Sequence, residues 1–542
     1  KCDEYADGTV LQEGVAAVAW RNMHVKRIGG EKGKVKQKEW LDKEGGLCNY
    51  LYISVPEHGT LSNEVTMKSK RILSYTALAV FGIVAAGCAS TAYEKKAVQP
   101  TPAAPVSSAS DVSATDVSAI NLVPGAAVKT YGWADMANGG SGIRYPDTAN
   151  IVFIGEKGYR IGDGALVAYS DRLSKRMAFT NAIASGSVTS ESVTLEPAII
   201  VLTGTVDLSD GAVNDSDHSY YDAFDPETHK RLHKDIIYKI GSNKAIIGAA
   251  GARLAYGGLE AKADGEGKAQ NIIIRNIEFW DAHGSTDYDT SVEQYAKKKA
   301  SIDALVFNAV ENPTKDSYAY VPENIWIDHC TFSDGPCSDL ERNYNHDGLL
   351  DLKAGRFVTI SYCEFYNHDK VTLIAPGEKF TRAEERTLTL HHNYYHEATQ
   401  RMPRTRACLL HVYNNYYDSI FQYALGPGIN AQFIVENNYF GKVNSSSGNG
   451  IVKYFDSSET HDTSKFYQSG NNVTIKDSDV IFDSVEKGGS FSSHAVSEAP
   501  WKIEYDYKAL LQNAEELPAL LPAAAGSGKI TSIEINGKAL AE

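Results

Sequence analysis

The residues with evident chemical capacity fall into two sets of opposite charge. "SIDALVF" (301–307) and "HDGLLDL" (346–352) carry Asp303, Asp347 and Asp351, while "RMPRTR" (401–406) crowds Arg401, Arg404 and Arg406 round a proline, with Lys370 upstream. Carboxylates are hard oxygen donors of the kind that hold Ca2+ while leaving positions open for water or substrate. Guanidinium and ammonium groups held together against their mutual repulsion point to an anionic ligand. The chain has a formal net charge of −15 over 542 residues, so this basic cluster is a local feature and nucleic acid is excluded as a general partner. Taken singly, an aspartate or a D-G pair is usually a turn, His329 beside Asp328 reads as a packing or hydrogen-bonding residue, and His391 and His392 lack the cysteine or carboxylate spacing of a zinc site. Only convergence on one face gives these residues a common purpose.

An architecture that produces such convergence is legible in the repeats. "NIIIRNIEF" (271–279), "NIWIDHCTF" (324–332), "FVTISYCEF" (357–365), "TLTLHHNYY" (387–395), "LHVYNNYY" (410–417), "QFIVENNYF" (432–440) and "NVTIKDSDV" (472–480) alternate apolar and polar residues as strands do. Anchored on Ile277, Cys330, Cys363, Asn393, Asn415 and Asn438, they recur at spacings of 53, 33, 30, 22 and 23. A floor near 22 with longer insertions is the signature of a parallel β-helix, an all-β solenoid whose equivalent positions stack about 4.8 Å apart. Asn393, Asn415 and Asn438 should then form an internal amide ladder. Lys370 lies five residues past Phe365 and Arg401 six past Tyr395, which places both at one corner of adjacent coils. Aligning D-A-L with D-G-L puts Asp303 and Asp347 one coil apart. Asp351, about 13 Å further along a straight strand, joins them only if the chain bends, and Gly348 permits a bend.

At this point the residues resemble a family. "WIDHCTFSDG" (326–335), "DGLLDLKAGRFVTISYCEFYNHDKVTLI" (347–374) and "RMPRTRACLLHVYNNYY" (401–417) are similar to blocks of the pectate lyases, right-handed parallel β-helix enzymes, with "GWADMANGGSG" (132–142) and "SNKAIIG" (242–248) resembling earlier blocks. The resemblance runs from about residue 130 to 520. It implies Ca2+ held by Asp303, Asp347 and Asp351, a substrate carboxylate bound by Lys370, and an R-x-P-x-x-R motif with a base at Arg401 and a supporting Arg406; Arg404 extends the same basic patch as a substrate-binding residue. One variant of the family has a further acidic ligand where this chain has Ser301, which implies a site completed by substrate. The implied reaction is β-elimination on polygalacturonate, with Arg401 taking the C5 proton. A guanidinium is normally charged up to pH values above about 12, so like-charge repulsion from Ca2+, Lys370 and Arg406 is expected to favour its neutral form. Three alternatives stay in view: a pectin lyase without Ca2+, which Asp347 and Asp351 count against; a hydrolase, which needs paired carboxylates placed for water attack; and a non-catalytic pectin binder.

The first quarter of the chain reads differently. Met67 opens "MKSKRILSYTALAVFGIVAAGCAS", a basic start, an apolar run and Gly87-Cys88. This is the pattern of an export signal (67–87), and "AAGC" resembles the lipobox of bacterial lipoproteins, which implies lipidation of Cys88. Residues 1–66 begin with Lys1 and are expected to be upstream sequence translated in frame; 88–125 read as a Pro/Ala/Ser-rich tether, 126–525 as the β-helix and 526–542 as an extension. The expectation is an exported monomer on the outer membrane or cell surface, or otherwise secreted, touching membrane only through lipid. Cys330 with Cys363, one coil apart, and Cys330 with Cys337 are both feasible disulfides.

Overall fold

The computed structural model describes residues 40–41, 47–48 and 119–540, the last with breaks at 148–150, 185–186, 189–192, 195–197, 214–235, 285–300, 313–316, 338–344, 375–381, 444–450, 454, 456–463, 476–477 and 482–495. Two compact units are distinguished, Lys1–Ala104 and Pro105–Glu542. In the first, Trp40–Leu41 pairs antiparallel with Leu47–Cys48. The export signal, Cys88 and nearly all of the tether fall outside the described residues.

The second unit is a parallel β-helix. Each regular coil gives one strand to each of three sheets, which contain twelve, ten and eight strands. One coil runs Gly355–Ser361, Glu364–Lys370, Leu373–Ile374; the next runs Arg386–His391, Tyr394–Gln400, Arg404–Thr405; a third runs Cys408–Tyr413, Tyr416–Tyr423, Gly426–Pro427. Corresponding strands pair in parallel. The nine-residue repeats are therefore not single strands. Each is a strand, a corner and a second strand, and the corner is made by one left-handed residue: Asn276, His329, Tyr362, His392, Asn414 and Asn437 have φ between 48° and 57°. "NVTIKDSDV" was out of phase for this reason. Asn472–Ile475 continues the ten-stranded sheet, whereas the strand homologous to the start of each repeat is Lys465–Ser469.

The residue after each corner points inward. Asn393, Asn415, Asn438 and Asn471 form the expected ladder and carry it one rung further, each Nδ2 donating to the next Oδ1 at 2.9 Å. Each Oδ1 in the ladder also takes a backbone N–H, which satisfies groups that would otherwise be buried without partners. Beside it Phe279, Phe332, Phe365, Tyr395, Tyr417 and Phe440 stack face to face with centroids 4.6–5.0 Å apart, one ring per coil. Cys330 and Cys363 also stack, but as thiols: the Cys330 N–H meets Cys363 Sγ at 3.4 Å, and Cys330, Cys363 and Cys408 form no disulfide.

The glycine-rich early block docks on the outside of the twelve-stranded sheet. Trp133 and Ala134 donate backbone N–H groups to Thr389 and Thr359, and a side chain at Gly132 would overlap Thr359 Oγ1. Ala119–Leu122, in the expected tether, pairs in parallel with Ser532–Ile535, in the expected extension.

Candidate active site

The register of the eight-stranded sheet decides where the carboxylates go. Leu305–Glu311 pairs with Leu350–Leu352 so that Val306 faces Asp351, and the Ala304 N–H bonds to Gly348 O at 3.0 Å. Asp303 therefore lies beside Gly348, not level with Asp347 as the D-A-L/D-G-L alignment has it. The one-residue shift gives Asp303 a backbone partner, because the Gly348 N–H donates to its Oδ1 at 2.8 Å. Asp351 Oδ1 accepts from the Leu373 N–H, also at 2.8 Å, in the following coil. A β-carbon on Gly348 would stand 2.5 Å from Asp351 Oδ1 and 2.8 Å from Asp303 Oδ1. The carboxylates thus converge over a position that has no side chain. Gly348 is not in the left-handed region, so its contribution is space and not the bend expected of it.

Asp347 completes the group from the other side, its Oδ1 2.5 Å from Lys370 Nζ. Burial and the Asp347 charge push the Asp303 carboxyl up to about 7, against the pull of the Gly348 N–H, Lys370 and His368. Asp351 is raised well above the carboxylate range by burial and by Asp303, with the Leu373 N–H and Arg401 opposing. Carboxylates that resist ionising side by side are relieved by a divalent cation. The donor set is all hard oxygen, with one oxygen of Asp303 and of Asp351 fixed by an amide, and it fits Ca2+.

The basic corner forms as the spacing predicts. Lys370 is paired with Gln400, so Arg401 occupies the next position round the bend. Arg401 has φ 69°, while its counterparts Val371 and Ala424 in the flanking coils are not left-handed. That backbone costs roughly 1 kcal/mol for a residue with a side chain, and the Thr372 N–H to Arg401 O bond at 2.8 Å holds it. The Arg401 charge reaches Asp351. Tyr423 lies beside it, its hydroxyl pushed up to about 12 by burial and drawn back by Arg401 and Arg404.

Arg404 is on the strand paired with Leu373, the residue whose amide holds Asp351, and its guanidinium lies over the Phe455 ring at 3.9 Å. Arg406 follows, its N–H bonded to Ile374 O at 3.1 Å. Asp303, Asp347, Asp351, Lys370 and Arg401 are thus one charge cluster, and Arg404 and Arg406 flank it on the coil of Arg401.

Sequence reasoning passed over the support beneath this cluster. His368 Nδ1 lies 2.7 Å from both Asp334 oxygens, and its Nε2 is 3.0 Å from Asp347 O. The strand period that sets Lys370 would have set His368, two residues earlier, on the same side. Phe455 had no such signal, since it reaches Arg404 from two coils on, outside any repeat.

Comparison with known proteins identifies the family. The profile of the family described as "Pectate lyase" matches residues 124–487. A Bacillus subtilis pectate lyase is 30% identical over 289 residues, 45% of this chain and 64% of that protein. A Thermotoga maritima pectate trisaccharide-lyase is 36% identical over 183 residues, 33% of this chain and 41% of that protein. The chain thus spans less than two thirds of the length of these relatives. A solved thermostable pectate lyase superposes with a TM-score of 0.53 at 26% identity, covering 74% of this chain and 98% of the other. On a profile match across well over half its length, the chain belongs to the pectate lyase family.

Proposed function

We propose that the protein is a Ca2+-dependent pectate lyase that cleaves polygalacturonate by β-elimination to 4,5-unsaturated oligogalacturonides. The observation that carries this reading is the meeting of Asp303 and Asp351 over Gly348, one bend away from Lys370 and Arg401. Asp303, Asp347 and Asp351 would hold Ca2+, which supplies positive charge beside the substrate carboxylate where negative charge develops. Lys370 binds an oxygen of the same carboxylate. Arg401 removes the C5 proton; the C5–H electrons become the C4–C5 double bond, and the C4–O bond breaks with its pair on the leaving oxygen. Arg406 and Arg404 bind uronates, and the Phe455 ring fixes the orientation of the planar Arg404 guanidinium stacked on it.

The deciding experiment follows ultraviolet absorbance of the unsaturated product on polygalacturonate, with Ca2+ and with excess EGTA. Product should accumulate with Ca2+ and stop with EGTA. Binding of pectate without product at any pH would make the protein a binder; undiminished activity in EGTA would remove Ca2+ from the reading.

We also propose that Met67–Gly87 directs export and that Cys88 is acylated, leaving the enzyme as a monomer at the outer membrane or cell surface. The support is the basic start, apolar run and Gly87-Cys88. A single acyl chain anchors only marginally, so stable retention needs more than one. Expressed from Met67, the protein should enter the membrane fraction, and Cys88→Ser should release it. Equal membrane recovery of the Cys88→Ser form would count against lipidation.

A further inference from the structure

Next to the segment that presents Asp347 lies a second group of ligating side chains that the lyase chemistry does not use. Asp281, His283 and His346 are all buried, with exposures of 1–3%. Asp281 Oδ1 lies 3.0 Å from His283 Nδ1 and 2.9 Å from His346 Nε2, and all three donor atoms fall within 4.8 Å of one another. Donors on a four-coordinate cation at about 2.0–2.1 Å sit roughly 3.3 Å apart, so a few tenths of an ångström of expansion would admit one.

The other nitrogen of His346 gives the second, independent observation. Its Nδ1 is buried with no hydrogen-bond partner, and Asp334 Oδ2 stands 3.7 Å away. If Nε2 merely donated a proton to Asp281 in a neutral ring, the Nδ1 lone pair would face that carboxylate. With a cation on Nε2 the proton moves to Nδ1 and points at Asp334. This is the carboxylate–histidine–metal relay that fixes a ligand's tautomer. Asp334 is itself held by His368, whose far nitrogen contacts Asp347 O. Cys337 joins Asp334 and His346 in an adjoining group within 4.8 Å, adding a soft ligand that calcium does not favour.

We propose that Asp281, His283 and His346 bind a borderline divalent cation of the zinc class, with Asp334 as the outer partner of His346. The site is separate from the carboxylate triad in donor type. It is joined to that triad through the His346–Asp347 peptide and through His368, so the bound cation braces the segment that presents Asp347.

The test uses the full chain, stripped with a strong chelator and reloaded with Co2+. A visible ligand-field band of tetrahedral intensity should appear, saturate near about one equivalent, yield to Zn2+ and resist excess Ca2+. His283→Gln and His346→Gln should lose the band, Asp334→Asn should weaken binding by about 10–100-fold, and Asp351→Asn should keep it. Wild-type protein that shows no band and retains less than about a tenth of an equivalent of Zn2+ overturns the proposal. So does a band that survives in folded His346→Gln protein but disappears in Asp351→Asn, which would assign the cation to the carboxylate triad. Far-ultraviolet circular dichroism checks each variant, and the wild-type spectrum decides if a histidine variant does not fold.

Discussion

Arg401 combines a left-handed backbone, a position one residue past Lys370 and a charge that reaches Asp351. A substrate clamp could be built on ordinary backbone; a base has to meet one proton from one direction. Arg401→Lys keeps the charge but loses reach and the planar fork, so kcat should fall by about 10²–10⁴-fold while KM changes little. A raised KM with unchanged kcat would make Arg401 a clamp and move the base elsewhere. Gly348 offers a sharper test of the carboxylate triad, since it is outside the charge set. The methyl of Gly348→Ala would push on both Asp303 and Asp351, and Ca2+ affinity measured by calorimetry should weaken by about tenfold or more. Unchanged affinity in a folded variant would show that the carboxylates do not share an ion there. The acidic and basic residues were legible because each sits in a short motif at a readable spacing. Their alignment slipped by one residue because D-A-L and D-G-L look equivalent, whereas the pairing follows Leu305 with Leu350. His368 was passed over because an H-D-K run carries no motif of its own.

Coils were easier to read than strands. The aromatic and asparagine repeats fixed the period correctly, since a buried stack needs the same residue type in every coil. What they could not fix was the corner, because a left-handed residue can be Asn, His or Tyr here and carries no single sequence mark. Those corner and near-corner positions hold three buried imidazoles, His329, His391 and His392. His391 stacks on Tyr413 and meets Tyr362 edge-on, its Nε2 is 2.9 Å from Thr130 O, and its Nδ1 is 3.0 Å from His392 Nδ1. Burial lowers His391 to about 4, with Thr130 O, Asp328 and Asp135 pulling the other way and His411 adding to the fall. The unfolded chain binds a proton at about 6.5, so His391 contributes stability that is complete above that pH and is lost as pH falls towards 4. Asp303, raised to about 7, has the opposite sign in the same window, so the wild-type slope alone does not isolate His391. The comparison with His391→Gln does: between pH 7 and 5 the wild type should lose about 2 kcal/mol more than the variant in denaturant melts. Parallel losses would mean that His391 is not held neutral.

A solenoid's stability is close to a sum of neighbouring-coil terms, so its ends decide how easily it frays. Between those ends, residues 527–540 brace several successive coils from the side. Ser532–Ile535 pairs with Ala119–Leu122, Ile530 and Ile533 enter the cluster that holds Ile120, Leu122, Ile143 and Trp326, and Ile530 O accepts from Asn276 Nδ2 at 3.0 Å. The Ser527 and Gly528 amides also reach back, to Thr331 and Asn276. None of this was legible from composition, because the pairing joins segments from opposite ends of the domain and neither carries a repeat. Removing residues 527–542 should therefore act on the whole molecule and not on the site. Two buried isoleucines and a strand partner are worth roughly 3–6 kcal/mol, so the urea midpoint should fall clearly. The segment's hydrogen bonds go to Asn276 and Thr331 and not to the triad's partners Gly348, Leu373 and Lys370, so kcat on polygalacturonate at low temperature should stay near the full-length value. A truncated protein with an unchanged midpoint would show that these strands are ornament on a helix already closed. One that loses kcat while still folded would tie this end of the chain to the active site.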